Sequence, residues 1–126
     1  MRKGIGMSTV KLLSGSCGLS MREAAAFLEL NEHNFQSMWL GRRPCPPGVL
    51  RELRDLYGKI DRAAVKLAER IEAEAETADI ELEVVPDDKA AQALGLPCIG
   101  AHEAMFRRVL EILPPQKAAK VKVIKA

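Results

Sequence analysis

The sequence predicts a mainly α-helical protein, with a helical N-terminal domain and a small α+β segment towards its C-terminus. Of the 126 residues, 48% are hydrophobic and 29% are charged, which is typical of globular chains and excludes a wholly disordered, collagen-like or membrane-embedded protein. Only 4% are aromatic, and Ala and Leu together outnumber the β-branched residues, which favours helices over a β-sandwich or barrel. Apolar residues recur at helical spacing in most segments, whereas one short segment alternates with period two.

The first predicted helix follows a frayed lead at residues 1–7. Ser8 or Thr9 can cap a helix that continues through Leu13, and the small, turn-forming residues at 14–18 end it. This helix precedes the pair of helices that carries the main functional signal.

A capping box marks the start of the second helix. The Ser20 hydroxyl can accept a hydrogen bond from the Glu23 amide, while the Glu23 carboxylate accepts from the Ser20 amide, so the helix begins at Met21. Its apolar face is formed, at helical spacing, by Ala24, Phe27 and Leu28.

The third helix has signals at both ends. Asn31 is its N-cap, and Glu32 lies in the first turn, where the helix dipole favours an acid. Leu30 and Phe35 occupy the two positions of a hydrophobic staple. Gly41 predicts an end one or two residues before it.

A long helix is predicted next. Residues 42–47 are predicted to be extended, because a residue that precedes proline is pushed out of the α region, and Pro47 then suits a first helical turn. Gly58 is the weak point at which the helix would divide. The apolar positions have a heptad-like spacing up to about Ile71, at residues 49, 53, 56, 60, 63 and 67.

The second half of the chain combines a strand with helices. Residues 80–84 alternate with period two and predict a strand. Two helices follow it, one capped by Asp87 or Asp88 and one over residues 101–113. Residues 121–124 predict either an edge strand or part of a disordered basic tail.

Charge is distributed unevenly along the chain. Residues 1–62 carry ten Lys and Arg against six Asp and Glu, a net charge of +4, and the remainder carries nine against eleven, a net charge of −2. An acidic partner is therefore expected to bind the first part.

We divide the chain into a helical domain at 1–62, a connecting helix and dimerisation segment at 63–114, and a basic tail at 115–126.

The sequence offers no sign of a secreted protein or an enzyme. Cys17, Cys45 and Cys98 cannot all pair, and no CxxC, signal peptide or membrane-spanning run is present, so we expect a cytoplasmic protein with reduced thiols. Cys98 and His102 are too isolated for a zinc site. No nucleophile–base–acid spacing or glycine-rich phosphate loop occurs, so we expect no metal, cofactor, small-molecule substrate or catalysis.

Two short helices joined by a turn of about two residues form the geometry of a helix-turn-helix. The stretch 19–31 resembles the Xre/Cro-like family of transcriptional regulators, with a leucine–serine start, an acid in the first turn and a small packing residue at Ala25. Residues 35–46 resemble the family's ending of tryptophan, glycine, basic residues and proline. The resemblance covers about residues 8–60. It implies a homodimer that binds double-stranded operator DNA at an inverted repeat and represses transcription, including that of its own gene.

The chain departs from the family pattern at two positions. The family usually has glycine where this chain has Glu29, so Glu29 must adopt a conformation that glycine adopts more cheaply, or the turn differs. The family's aromatic residue usually stands where this chain has Met38, and Trp39 comes one place later, which affects where the helix ends. We expect Trp39 to be packed and not to take part in binding.

The resemblance and the side-chain chemistry together predict the contacts with DNA. Phe35 and Met38 should point inward. Amides can bind adenine bidentately, histidine and serine can bind base edges, and Glu32 can accept from cytosine or cap its own helix. The predicted base-contacting residues are Glu32, His33, Asn34, Gln36 and Ser37. The predicted phosphate-contacting residues are Arg22, Asn31, Arg42 and Arg43.

A narrower resemblance concerns residues 96–102. After a short strand, they are similar to the C-terminal part of small phage and mobile-element regulators, including anti-CRISPR-associated repressors, which join a helix-turn-helix to a dimerisation segment. The alternative function is a protein-binding module with the same fold, such as an antitoxin or adaptor. A positive surface around the third helix would favour DNA, and an exposed apolar patch of Met38, Trp39 and Leu40 would favour protein.

Overall fold

The computed structural model describes residues 7–74 and 79–125, and it is mainly helical with a small β segment, as the sequence predicts. The lead expected at residues 1–7 lies outside the described residues except for Met7, which is exposed and not helical. The elements in chain order are α1 Thr9–Ser16, α2 Met21–Phe27, α3 Glu32–Trp39, α4 Pro47–Glu72, β1 Ile80–Val84, α5 Asp88–Ala93, α6 Ile99–Ile112, α7 Pro115–Ala118 and β2 Val121–Lys125.

The chain folds as two compact units that meet within α4. The first unit is Met1–Tyr57 and the second is Gly58–Ala126, so the division falls a few residues before the boundary expected after residue 62. The helix itself is continuous through Gly58, which therefore does not divide it. Over the described residues, no helix is both long enough and apolar enough to cross a membrane.

The first unit is a bundle in which α1, α2 and α3 all contact one another. Ser8 caps α1 as predicted, since its Oγ accepts from the Lys11 amide at 3.1 Å. The same hydroxyl donates to the Trp39 carbonyl at 2.7 Å and so links the start of α1 to the end of α3. The core of the first unit includes Phe35 and Leu53, which are completely buried.

The buried face of α4 follows the predicted spacing only as far as Ile60. Beyond it, the helix buries Ala64 and Ala68, whereas the predicted positions at 63 and 67 are half-buried. A strict heptad falls behind an α-helix of 3.6 residues per turn by about 20° per repeat. The buried face of α4 is therefore shifted by one residue beyond Ile60, from the predicted positions 63 and 67 to positions 64 and 68.

The second unit is built on a parallel pair of strands. β1 pairs with β2 in the register Ile80–Val121 through Val84–Lys125. Leu82 and Val84 pack into a core with Phe106 and Val109 of α6 and with the last turns of α4. On the surface, Arg108 Nε donates to an Asp61 carboxylate oxygen at 2.7 Å and ties α6 to α4 within this unit.

Two expectations for this unit need correction. The helix expected over 101–113 begins earlier, at Ile99. The segment 115–126, expected as a basic tail, forms α7 and β2 through Lys125, so the strand is the correct one of the two alternatives for residues 121–124. Pro114 ends α6 as predicted, but Pro115 then begins α7, because proline suits a first helical turn.

Ser14 generates a stability prediction. It is fully buried in α1, and among the described residues its Oγ is a buried polar atom without a hydrogen-bond partner. An unsatisfied buried hydroxyl costs roughly 1–3 kcal/mol, so Ser14→Ala should raise the free energy of unfolding by about 1 kcal/mol or more. Chemical denaturation measures the change.

Ser16→Ala is the matched control for that prediction. Ser16 lies in the same helix, is exposed, and donates to the Leu12 carbonyl at 3.3 Å. Ser16→Ala is the same chemical change as Ser14→Ala, but the hydroxyl that it removes is exposed to solvent. If Ser14→Ala raises the free energy of unfolding no more than Ser16→Ala does, then burial of the Ser14 hydroxyl does not destabilise the fold.

Candidate nucleic-acid interface

The helix α2 begins with the capping box that the sequence predicts. Ser20 Oγ accepts from the Glu23 amide at 3.2 Å, and Glu23 Oε1 accepts from the Ser20 amide at 3.0 Å. Two of the amides left unpaired at a helix start are thereby satisfied, which holds the start of α2 in place. Ala24 and Ala25 on its inner face are buried, and the small side chain of Ala25 suits a close helix contact.

The turn between α2 and α3 is a Schellman motif built on Glu29. Glu29 has φ of +55°, the left-handed conformation that glycine adopts more cheaply, as the sequence predicts for a family-like turn. The Leu30 amide donates to the Ala25 carbonyl at 2.9 Å, and the Glu29 amide donates to the Ala26 carbonyl at 3.1 Å. These two bonds satisfy carbonyls at the end of α2 and direct the chain into α3.

The helix α3 starts and ends as predicted. Asn31 Oδ1 accepts from the Asn34 amide at 3.2 Å and caps the start. At the other end Gly41 has φ of +77°, and the Arg42 and Arg43 amides both donate to the Ser37 carbonyl, at 2.9 and 3.2 Å. A second turn with a left-handed residue thus places two arginines directly after α3.

One face of α3 packs inward and the opposite face is exposed. Phe35 and Met38 are buried, as predicted, and the ring of the half-buried Trp39 lies 6.1 Å from that of Phe35. Of the predicted base-contacting residues, Ser37 is half-buried and the other four are exposed: Glu32, His33, Asn34 and Gln36. The exposed face therefore offers amide, imidazole and carboxylate groups and carries no lysine or arginine.

Arginines flank this exposed face. Arg22 on α2 lies at one end, with Nε 3.4 Å from Glu32 Oε1; the side chain of Arg22 is largely exposed and that of Glu32 about half exposed. Arg42 and Arg43 lie at the other end and are also exposed. Glu32 is thus paired with a predicted phosphate-binding residue, a contact across ten positions that the sequence pattern does not indicate.

A groove at the end of α3 involves residues that sequence reasoning missed. It has a volume of about 450 Å³ and is lined by Arg43 and Cys45 together with Ser8 and Thr9 at the start of α1. Burial raises the pKa of the Cys45 thiol, which keeps it protonated at neutral pH. Ser8 and Arg43 are more than thirty positions apart, so no local pattern could have brought them together.

Cys98 and His102 do not form an accessible site. Both are buried, His102 Nδ1 accepts from the Val85 amide at 3.2 Å, and its ring packs 4.4 Å from that of Phe106. Burial lowers the pKa of His102, which favours the neutral ring that can accept this hydrogen bond. Within residues 7–74 and 79–125, no three His, Cys, Asp or Glu side chains are grouped so as to hold a metal ion.

No protein-family model matches the chain, and no curated protein matches it. The function must therefore be inferred from the chain's own residues and geometry.

The conformation of Glu29 predicts an unusual response to glycine. A left-handed backbone costs a non-glycine residue roughly 1 kcal/mol, and an acid near a helix C-terminus costs about 0.3–1 kcal/mol more. Both costs disappear in Glu29→Gly, although the more flexible unfolded chain offsets part of the gain. We expect Glu29→Gly to be neutral or stabilising in thermal and denaturant unfolding.

Glu52→Gly is the control for the turn. Glu52 is exposed within α4, where glycine is expected to cost about 1 kcal/mol relative to a good helix former. If Glu29→Gly lowers the free energy of unfolding as much as Glu52→Gly does, then residue 29 is helical in solution and does not have the left-handed conformation of the Schellman turn.

The burial of His102 predicts a pH dependence of stability. Because its pKa in the folded chain lies below the ordinary value of 6.5, the unfolded chain takes up the proton first as the pH falls. The contribution of His102 is therefore complete above about pH 6.5. It is lost as the pH falls from there through the folded pKa, by at most about 1.4 kcal/mol per pH unit.

Denaturant unfolding at pH 7.5, 6.5 and 5.5 measures this effect. His102→Gln should flatten the dependence over this range, whatever its absolute stability. Asn34→Gln, a change at an exposed residue of α3 that carries no titrating group, should keep the wild-type dependence. Equal slopes in the wild type and His102→Gln would exclude His102 as the cause.

Proposed function

We propose that this protein is a sequence-specific DNA-binding regulator of transcription, similar to the Xre/Cro-like family, which acts as a homodimeric repressor in the cytoplasm. The observation that carries the proposal is the pair α2 and α3, joined by the Schellman turn at Glu29, with an exposed polar face on α3 between flanking arginines. A helix presented in this way fits the major groove of double-stranded DNA.

The exposed face of α3 suits the reading of base edges. Asn34 and Gln36 can each donate to and accept from adenine, and His33 can bond to a base edge. Ser37 is half-buried and contributes at the margin of the face. Glu32 can accept from cytosine, or it can hold Arg22 in position through the ion pair.

The arginines suit binding to the phosphates on either side of the groove. Arg22 and Asn31 lie at the start of α3, and Arg42 and Arg43 lie at its end. Residues 1–62 have a net charge of +4, which favours association with an acidic polymer. Such contacts fix the position of the protein on DNA and carry no sequence information themselves.

Homodimerisation is part of the proposal. Operators read by a helix-turn-helix are commonly inverted repeats, because two copies related by a two-fold axis bind half-sites about 34 Å apart, one turn of DNA. The remainder of the chain has a net charge of −2, which suits protein contacts away from the phosphates. Residues beyond about 60 are therefore proposed to join the two copies.

The alternative, a protein-binding module, has one observation in its favour. Leu40 is 50% exposed at the end of α3. Its two apolar neighbours do not extend the patch, because Met38 is buried and Trp39 is half-buried against Phe35. Leu40 and the 58%-exposed Met7, which line the same groove as Arg43, form only a small apolar surface, and this is a poor docking site for a protein, so DNA is the preferred partner.

Selection of bound duplexes from a random DNA pool tests the proposal and defines a preferred site. Against that site, Gln36→Ala should cost about 1–3 kcal/mol, and it should change affinity for random DNA much less, because a bidentate base contact carries specificity. Arg43→Ala should weaken binding to preferred and random DNA alike. It should also lower the slope of log affinity against log salt concentration by about one unit per protomer.

Gln116→Ala and Arg107→Ala are matched controls, because both residues are exposed in the second unit. Neither should change binding to the preferred site by more than the error of the measurement. Equal losses by Gln36→Ala on preferred and random DNA would contradict the placement of α3 in the groove, and no enrichment of any duplex would contradict DNA binding itself.

A further inference from the structure

The strand β2 has an apolar residue that the fold leaves half uncovered. In the register of the sheet, Val123 lies beside Leu82, so both side chains belong to the face that packs on the core. Leu82 is 8% exposed, but Val123 is 43% exposed. The core-facing surface of the sheet therefore continues beyond the part that the chain itself covers.

The outer edge of β2 is also open within the described residues, where the sheet has two strands in the order β1–β2. An open edge carries unpaired backbone donors and acceptors that can pair with another strand. We propose that the occupant is β2 of a second copy of this chain, paired antiparallel about a two-fold axis at Val123, which gives a four-stranded sheet. This inference rests on the homodimer of the proposed function and specifies how it forms.

The apolar surface supports this pairing. An antiparallel pair centred on Val123 places the valines of the two copies directly opposite each other, where cross-strand side chains interact most strongly. On the core-facing side, the central row then reads Leu82, Val123, and Val123 and Leu82 of the second copy. An interrupted apolar surface becomes one continuous row across both protomers.

The charges of the strand are compatible with this pairing. With Val123 at the centre, Lys122 faces Ile124 of the second copy and Lys125 faces its Val121, so no lysine lies opposite a lysine. The outer face then has Lys122 of each copy on the inner strands and Glu81 beside it on the outer strands. Opposite charges thus neighbour one another across the assembled sheet.

Pairing through β1 is less favourable in both of its forms. An antiparallel pair of β1 strands centred on Leu82 places Glu81 opposite Glu83 of the second copy twice, and like charges directly opposite are destabilising. Pairing β1 with β2 of another copy leaves an open edge at each end and continues as a chain of copies. Of these three arrangements, the β2 pair centred on Val123 is the one that is both closed and free of opposed like charges.

Sedimentation tests the interface with one variant and one control. Val123→Lys places two lysines opposite each other at the centre and should weaken the dimer at least tenfold. Leu94→Lys introduces the same charge at another exposed apolar residue of the second unit, 59% exposed, and should leave the dimer unchanged. A Val123→Lys variant that dimerises as tightly as the wild type overturns the proposal.

Disulfide cross-linking tests the register and does not depend on the behaviour of Val123→Lys. In a Cys45→Ser background, Val123→Cys should link to itself at least tenfold faster than Lys122→Cys, because only residue 123 faces its own copy. A mixture of Lys122→Cys and Ile124→Cys proteins should link to each other. A Val123→Cys rate no higher than that of Lys122→Cys overturns the proposal, even if Val123→Lys fails to fold.

The outcomes separate this inference from the proposed function. A wild-type dimer that survives Val123→Lys keeps the homodimer and excludes the β2 interface. A wild-type protein that is monomeric at tens of micromolar contradicts both the homodimer and the β2 interface. Sequence-specific binding of a single half-site by the weakened Val123→Lys variant would support DNA binding by α3 independently of dimerisation.

Discussion

The left-handed backbone at Glu29 is the constraint on which the candidate interface depends. It closes the Schellman turn that ends α2, and the chain then reaches Asn31 in position to cap α3. Phe35 and Met38 can enter the core only if α3 leaves this turn in the observed direction. The exposure of His33, Asn34 and Gln36 follows from the same geometry, because a helix that buries one face must present the other.

Local signals in the sequence predicted most of the elements. The capping box at Ser20, the N-cap at Asn31 and the glycine at 41 each depend on residues three or four positions apart, so they can be read without knowledge of the fold. The strand at 80–84 was equally evident from its alternation. The drift of the buried face along α4 is not readable from the sequence, because apolar residues occupy both alternatives, at 63 and 64 and again at 67 and 68, so their spacing does not choose between a strict heptad and a 3.6-residue period.

Contacts between distant residues could not be predicted in this way. The pairing of Arg22 with Glu32 and the bond from Ser8 to the Trp39 carbonyl depend on how helices pack and not on any local pattern. The sequence indicates no functional role for His102. Its role as acceptor for the Val85 amide emerges only when α6 lies beside the end of β1. Of the residues predicted to contact DNA, all but Ser37 are exposed, and their contact with DNA stays a proposal.

The parallel pairing of β1 and β2 has a consequence for how the chain folds. Ile80 pairs with Val121, so every pairing in this sheet joins residues about forty positions apart, whereas in the first unit α1 contacts α2 and α2 contacts α3, which are neighbours along the chain. Closing a long loop costs entropy before any pairing is gained, and folding slows as the sequence separation of contacts increases. The first unit should therefore reach its native state earlier than the second, with the sheet as the slow step.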